Sequence, residues 1–296
     1  MCGIIGNLYE LQAQQQVMFT QYMFNGLAIN PAYAGSQGSL TMTALYRNQW
    51  VGIEGAPTTQ TFSLHSPVAK ERMSLGMLLI NDKIGITNQT GGYGVYSYRI
   101  PLGTSSILGF GIQGGVTYYN ALFSQVSDSD PTFAGTDVQE YHPNAGFGMY
   151  FQNSKSYIGF SVPQLIQNEF DRNNSDSDSQ ILRHYFISTG YVFDLSKDLK
   201  LKPNLLVKYV KGAPVEFDLN VNLLIHEVIW IGCSWRSFDS IDALLQIQLT
   251  EQLQMGYAYD FATTTDLKRV NSGSHEFMLT YRLRKGNSKI VTPRYF

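Results

Sequence analysis

The chain has 296 residues, with 21 basic and 23 acidic side chains and a net charge of −2. Charged residues make up only 15% and aromatics reach 13%, led by 19 Tyr and 17 Phe, with 27 Gly. The balanced charge excludes a nucleic-acid binder held by phosphate neutralisation, and the aromatic content excludes a disordered chain. No run of apolar residues approaches the length of a membrane-spanning helix. Cys2 and Cys233 provide neither a disulfide framework nor a zinc spacing. A β-rich protein remains, either a soluble sandwich or a membrane barrel.

At the N-terminus, residues 1–13 form a short apolar stretch ending Leu11-Gln12-Ala13 before three glutamines. This pattern resembles a signal peptide cleaved after Ala13, although a basic start is missing. Met1-Cys2-Gly3 also resembles the start of class II glutamine amidotransferases, where an exposed Cys acts with its own amine. The family's downstream Arg-Gly-x-Asp pattern is absent. Residues 14–37 are expected to form an N-terminal plug or cap, 38–284 a barrel, and 285–296 a basic periplasmic tail.

From residue 38 onward a period of two dominates, the signature of strands with unlike faces. Alternation predicts strands near 38–47, 58–67, 73–81, 90–99, 106–119, 143–151 and 155–163. Seven more fall near 182–194, 198–210, 214–224, 228–236, 241–249, 251–260 and 273–284. Fourteen strands of about 9–11 residues suit a tilted crossing of a bilayer. Long and short connections alternate through the first half, with 81–90 and 120–142 read as long loops and external loops expected to be the longer ones. A soluble fourteen-strand barrel would be too wide for side chains to fill. The fold predicted is therefore all-β, a transmembrane antiparallel barrel of about 14 strands. Its apolar face meets lipid, its polar face a wet lumen, and aromatics such as Tyr46, Tyr98, Tyr119 and Trp235 form girdles.

Little chemistry is on offer. The five histidines are scattered, and no nucleophile elbow, phosphate loop or dinucleotide fingerprint appears. No catalytic residue, metal ligand or cofactor is assigned, and the chain is read as not an enzyme. Gly109, Gly111, Gly114 and Gly115 lie in a strand pattern and are read as close approaches between lumen side chains. Asp128-Ser129-Asp130 and Asp176-Ser177-Asp178 carry oxygen ligands suited to calcium but match no complete loop. Arg47, Asn48, Gln49 and Trp50 combine a donor fork, amides and an aromatic anchor, the residue types of partner-binding hot spots. With Asn81, Asp82 and Lys83 they form the expected partner-binding rim.

Several segments resemble the PorP/SprF family of type IX secretion proteins. These are Gln21-Tyr22-Met23-Phe24-Asn25, Asn30-Pro31-Ala32-Tyr33-Ala34-Gly35, Tyr46-Arg47-Asn48-Gln49-Trp50 and Asn81-Asp82-Lys83-Ile84-Gly85. Pro143-Asn144-Ala145-Gly146-Phe147-Gly148 and Tyr157-Ile158-Gly159-Phe160-Ser161-Val162-Pro163 extend the match. The resemblance implies an outer-membrane barrel of a Bacteroidetes-type bacterium, in the secretion and gliding apparatus; the even strand number and the loop alternation place both termini on the periplasmic side. The resemblance implies as partners a secreted adhesin or its C-terminal sorting domain, other secretion components, a periplasmic peptidoglycan-associated protein and the lipid bilayer, and no nucleic acid. Its first reading is export and surface retention of an adhesin. A general core component of the machinery is the second, and a diffusion pore or small-solute transporter the third.

Overall fold

The computed structural model describes residues 17–69, 72–125, 137–167, 182–263 and 271–283. The leader, the basic tail and both Asp-Ser-Asp sequences lie outside the described residues. The strands are β1 (Leu40–Asn48), β2 (Thr58–Ala69), β3 (Met73–Ile84), β4 (Thr87–Leu102) and β5 (Ser106–Ala121). They continue as β6 (Val138–Gln152), β7 (Ser156–Val162), β8 (His184–Tyr191), β9 (Phe193–Asp194) and β10 (Leu199–Val210). The last five are β11 (Glu216–Ile225), β12 (Ile229–Arg236), β13 (Ser240–Gln248), β14 (Leu253–Ala262) and β15 (Ser274–Leu283). β8 and β9 run on as one stave along β10, so the closed antiparallel barrel has fourteen staves. Each stave pairs with its sequence neighbour, and β1 pairs with β15 to close the ring, Leu40 opposite Leu283. Closure leaves no unpaired sheet edge, the condition for crossing a bilayer with strands.

The even number of staves puts the start of β1 and the end of β15 at one end, with the short connections such as 103–105, 153–155 and 195–198. The connections 49–57, 122–137, 163–183 and 263–273 share the opposite, long-loop end. The expected loop over 81–90 is replaced by a tight turn: β3 and β4 run on to Ile84 and Thr87, joined by Gly85-Ile86, with Gly85 at φ 54°. Both strands are polar on both faces there, which erased the alternation that marks a strand.

Facing follows the membrane pattern. Leu245 is 40% exposed while Gln246 beside it is fully buried. Leu75, Leu79, Ile112, Leu219 and Ile231 are likewise exposed outward. Thr43, Ser63, His65, Gln113, Asn144, Asn204 and Asn220 are buried inward. Tyr46, Tyr98, Tyr191 and Trp235 stand outward, whereas Tyr119, expected in the girdle, faces inward against His142. Among the described residues no helix is long and apolar enough to cross a membrane, which says nothing of strands.

Candidate functional site: the filled lumen and its long-loop rim

A ring of fourteen staves encloses more space than its own side chains can occupy. Residues 17–39 occupy that space. They fold as three short 3-10 turns, Tyr22–Phe24, Gly26–Ala28 and Pro31–Tyr33. Phe19, Tyr22, Met23, Leu27, Ile29 and Tyr33 are buried against Leu45, Leu78, Val95, Tyr150, Phe186 and Leu244 of the wall. The lumen is thus packed by a segment whose apolar residues meet apolar patches of the wall, and polar contacts at several depths fix the register between them.

At the long-loop end sits a charged clamp. Glu276 on β15 is fully buried and accepts from the backbone N–H groups of Thr20 (2.9 Å) and Gln21 (2.8 Å). Arg47 on β1 reaches Glu276 at 3.1 Å and Asp260 at 2.6 Å and donates to Thr20 Oγ1 at 2.9 Å. Thr20 Oγ1 in turn donates to Asp260. Arg236 on β12 pairs with Asp218 at 3.1 Å and Asp239 at 3.1 Å. Gln246 donates to the Gln21 side chain at 3.2 Å. The burial of Arg47, Glu276, Asp260, Arg236 and Asp218 is offset by the opposite charges and hydrogen bonds they share.

Halfway down, Asn30 caps the third turn by accepting from Ala32 N–H at 2.9 Å. Its Nδ2 donates to the carbonyls of Met149 (2.9 Å) and Phe160 (3.3 Å) on β6 and β7. Inward glycines make this seat. A Cβ on Gly111 would overlap the Pro31–Ala32 backbone, and one on Gly148 would overlap Asn30 Oδ1. The glycines at 109 and 111 therefore admit a passing backbone rather than lumen side chains. Near the short-turn end, Arg99 donates to the Gly35 carbonyl at 2.7 Å and Gly35 N–H donates to His65 Nδ1 at 3.1 Å. Lys202 lies over the rings of Phe24 and Trp230 at 5.1 and 5.7 Å, a cation–π contact.

Register places the expected rim residues together. Asn48 is opposite Thr58, Thr58 opposite Lys83, and Thr59 opposite Asp82, so residues 47–50 and 81–83 flank the start of β2 at the long-loop end. Their roles divide. Arg47 is only 1% exposed and holds Asp260, Glu276 and Thr20, so its donor fork is spent inward rather than offered to a partner. Asp82 accepts from Thr59 Oγ1 at 2.6 Å, and Asn81 donates to Asn88 Oδ1 and Thr90 Oγ1 at 2.9 and 2.7 Å. Asn48, Gln49 and Trp50 are half-buried and Lys83 is exposed. Trp50 holds a φ of 48°, uncommon for a bulky residue, with its N–H donating to Ser274 Oγ at 3.2 Å. The clamp partners Asp260, Glu276 and Arg236 were not singled out in the sequence. Each is an ordinary charged residue on the polar face of an alternating strand, and only closure of the barrel brings them together.

The segments that carry the family resemblance are the ones that meet inside. Asn30-Pro31-Ala32 seats on Gly111, Gly148 and Gly159, and Gln21 and Thr20 meet Arg47. The barrel is similar in fold to a solved structure described as the CymD monoaromatic hydrocarbon channel, at 12% identity and a TM-score of 0.53, covering 90% of this chain and 92% of that one. A FadL homologue of Pseudomonas aeruginosa gives 12% identity and 0.50, covering 88% and 93%. A TodX monoaromatic hydrocarbon channel mutant gives 8% and 0.51, covering 90% and 94%. At these identities the likeness is one of fold. No curated protein matches the chain. The family model described as type IX secretion system membrane protein PorP/SprF matches residues 11–281. With nearly the whole barrel and its luminal segment inside that match, the chain belongs to the PorP/SprF family of type IX secretion system membrane proteins.

Proposed function

We propose that this barrel receives a secreted adhesin, through its C-terminal sorting domain, at the long-loop rim and retains it at the cell surface. In this reading the long-loop end faces outward, the barrel begins and ends on the periplasmic side, and no covalent chemistry is involved. The observation that carries it is the filled lumen. Residues 17–39 packed into the lumen and held near both ends count against a wide open diffusion pore. The working surfaces are then the rim and the luminal segment. Gln49, Trp50 and Lys83 are the rim residues whose side chains are available to a partner, with Asn48 beside them. Trp50 is the anchor, since a large aromatic held in a fixed, uncommon backbone conformation loses little entropy on binding.

The test is surface display. In cells producing Trp50→Ala together with Lys83→Ala, adhesin co-purifying with the barrel falls about thirtyfold, the equivalent of a hot spot near 2 kcal/mol. Antibody on intact cells then finds less adhesin, while the barrel keeps its heat-resistant folded mobility. Unchanged display after deletion of the whole barrel would defeat the proposal. Steady conductance of the wild-type protein in planar bilayers would return the pore reading to first place.

A further inference from the structure

The luminal segment has a direction, and separate strands of the wall record it. On β2, Ser63 donates to the Asn25 side chain at 2.9 Å, and His65, the next inward residue toward the short-turn end, accepts from Gly35 N–H at 3.1 Å. On β4, Ser97 donates to the Ala32 carbonyl at 3.4 Å and Arg99 to the Gly35 carbonyl at 2.7 Å. On β6, the Met149 carbonyl accepts from Asn30 at 2.9 Å, and Gln152 donates to the Ser36 carbonyl at 3.4 Å. These three strands all run from the long-loop end to the short-turn end. On each, the later residue of the segment meets the later residue of the strand. At its upper end, Thr20 and Gln21 sit on Glu276, close to the long-loop start of β15 at Ser274. At its lower end the segment leads into β1 at Leu40, on the short-turn side.

The chain that precedes Val17 therefore meets the lumen at the long-loop end, and the way back is closed. Along β15 from Glu276 to Leu283, the distance to the short-turn end is roughly 23 Å at about 3.3 Å per residue. Cleavage after Ala13 leaves only Gln14 to Phe19 ahead of the clamp, which spans about 20 Å when fully extended. That path is also occupied. Phe19, Thr20 and Gln21 are buried. A cavity left between the segment and the wall at Tyr22, Asn30, Tyr33, Tyr150 and Tyr157 measures about 20 Å³, room for a water molecule and not for a second stretch of peptide.

We infer that the N-terminus of the mature chain emerges from the lumen at the long-loop end, opposite the end at which β15 finishes. Strand parity puts the two ends of the barrel on one side, but the luminal segment adds a further crossing inside the ring and carries the chain's own beginning to the other. This placement is relative to the barrel and holds whichever end faces outward. In the outward orientation proposed above, it sets a free chain end at the cell surface, on the same rim as Gln49 and Trp50, where a protein partner seated on that rim meets it.

The test is cysteine labelling in a Cys2→Ala, Cys233→Ala background, with Gly85→Cys and Asn153→Cys marking the long-loop and short-turn ends. An impermeant maleimide is applied to intact cells, and to cells whose outer membrane has been opened. Gln15→Cys labels under the same condition as Gly85→Cys. Gln37→Cys, at the lower end of the segment, labels under the same condition as Asn153→Cys, which shows that the segment is still seated. Each variant is checked for heat-resistant folded mobility. Gln15→Cys that follows Asn153→Cys overturns the inference, and so does Gln15→Cys that stays unlabelled after the membrane is opened. Gln15→Cys and Gln37→Cys both following Gly85→Cys overturns it as well, because the segment would then double back on itself or lie outside the ring. If Gly85→Cys and Gln15→Cys label only in opened cells while Asn153→Cys labels in intact ones, the outward orientation fails and the placement of the N-terminus stands.

Discussion

Glu276→Ala tests whether the charged clamp holds the segment in the lumen. The substitution removes the acceptor for two backbone N–H groups and one of the two carboxylates of Arg47. Breaking a buried pair from one side costs about 3–5 kcal/mol, and each orphaned buried donor about 1–3 kcal/mol. These terms share atoms and do not add in full, so about 4 kcal/mol is a conservative figure for the seated state. At 1.4 kcal/mol per decade, that shifts the balance between seated and displaced segment by roughly a thousandfold. The assay pairs planar-bilayer conductance with proteolysis of residues 17–39. Wild type stays closed and protected; Glu276→Ala shows transient openings and cleavage. Glu276→Gln keeps an acceptor oxygen but loses the charge, and falls between them. A Glu276→Ala barrel as quiet and as protected as wild type would refute the clamp, whatever its melting temperature.

Three further outcomes follow from the geometry. Gly111→Ala drives a Cβ into the Pro31–Ala32 backbone and lowers barrel stability by about 1–3 kcal/mol, or displaces the segment, read by heat-modified mobility and by the same proteolysis. Leu245→Arg puts a charge on the lipid face and costs about 2–4 kcal/mol if near the midplane, measured by denaturant unfolding in bilayers; a cost near zero would show that this face does not meet lipid. Cysteines placed at Gly85 and at Asn153 lie at opposite ends, so on intact cells an impermeant maleimide labels the first and leaves the second until the membrane is opened. Labelling of Asn153→Cys in intact cells would invert the proposed orientation.

Much of the fold was legible because strands with one lipid face and one polar face have a two-residue period. Leu253 to Phe261 and Ile241 to Leu249 fall on β14 and β13 within a residue or two. Legibility failed where that contrast vanished. Asn81-Asp82-Lys83 and Asn88-Gln89-Thr90 carry polar side chains on both faces, so two strand ends read as a loop. It failed again for the luminal segment, because 3-10 turns of three residues carry no periodicity and their apolar residues face a wall that the local sequence does not contain. Its trace in the sequence lies elsewhere, in Gly109, Gly111 and Gly148, which leave room on inward positions that otherwise carry side chains. Arg47 was expected at the partner-binding rim with Asn48, Gln49 and Trp50, whereas its side chain points into the lumen and pairs with Asp260 and Glu276. A period of two gives the side only once the residue at the strand end is placed, and the tempting aromatic at 50 already lies past the end of β1.

The bond between residue 20 and Glu276 joins positions separated by 256 residues. The first residues of the luminal segment therefore cannot reach their final partners until the last strand is in place. Contacts of such span are slow to form, since nearly the whole chain must be ordered before they return any stability. Maturation thus acquires an order: the wall assembles strand by strand around a segment that is still loosely held, and the arrival of β15 both closes the ring and locks its contents. A barrel caught one strand short would be open at a seam and unlatched within, a form that quality-control proteases could distinguish from the finished one.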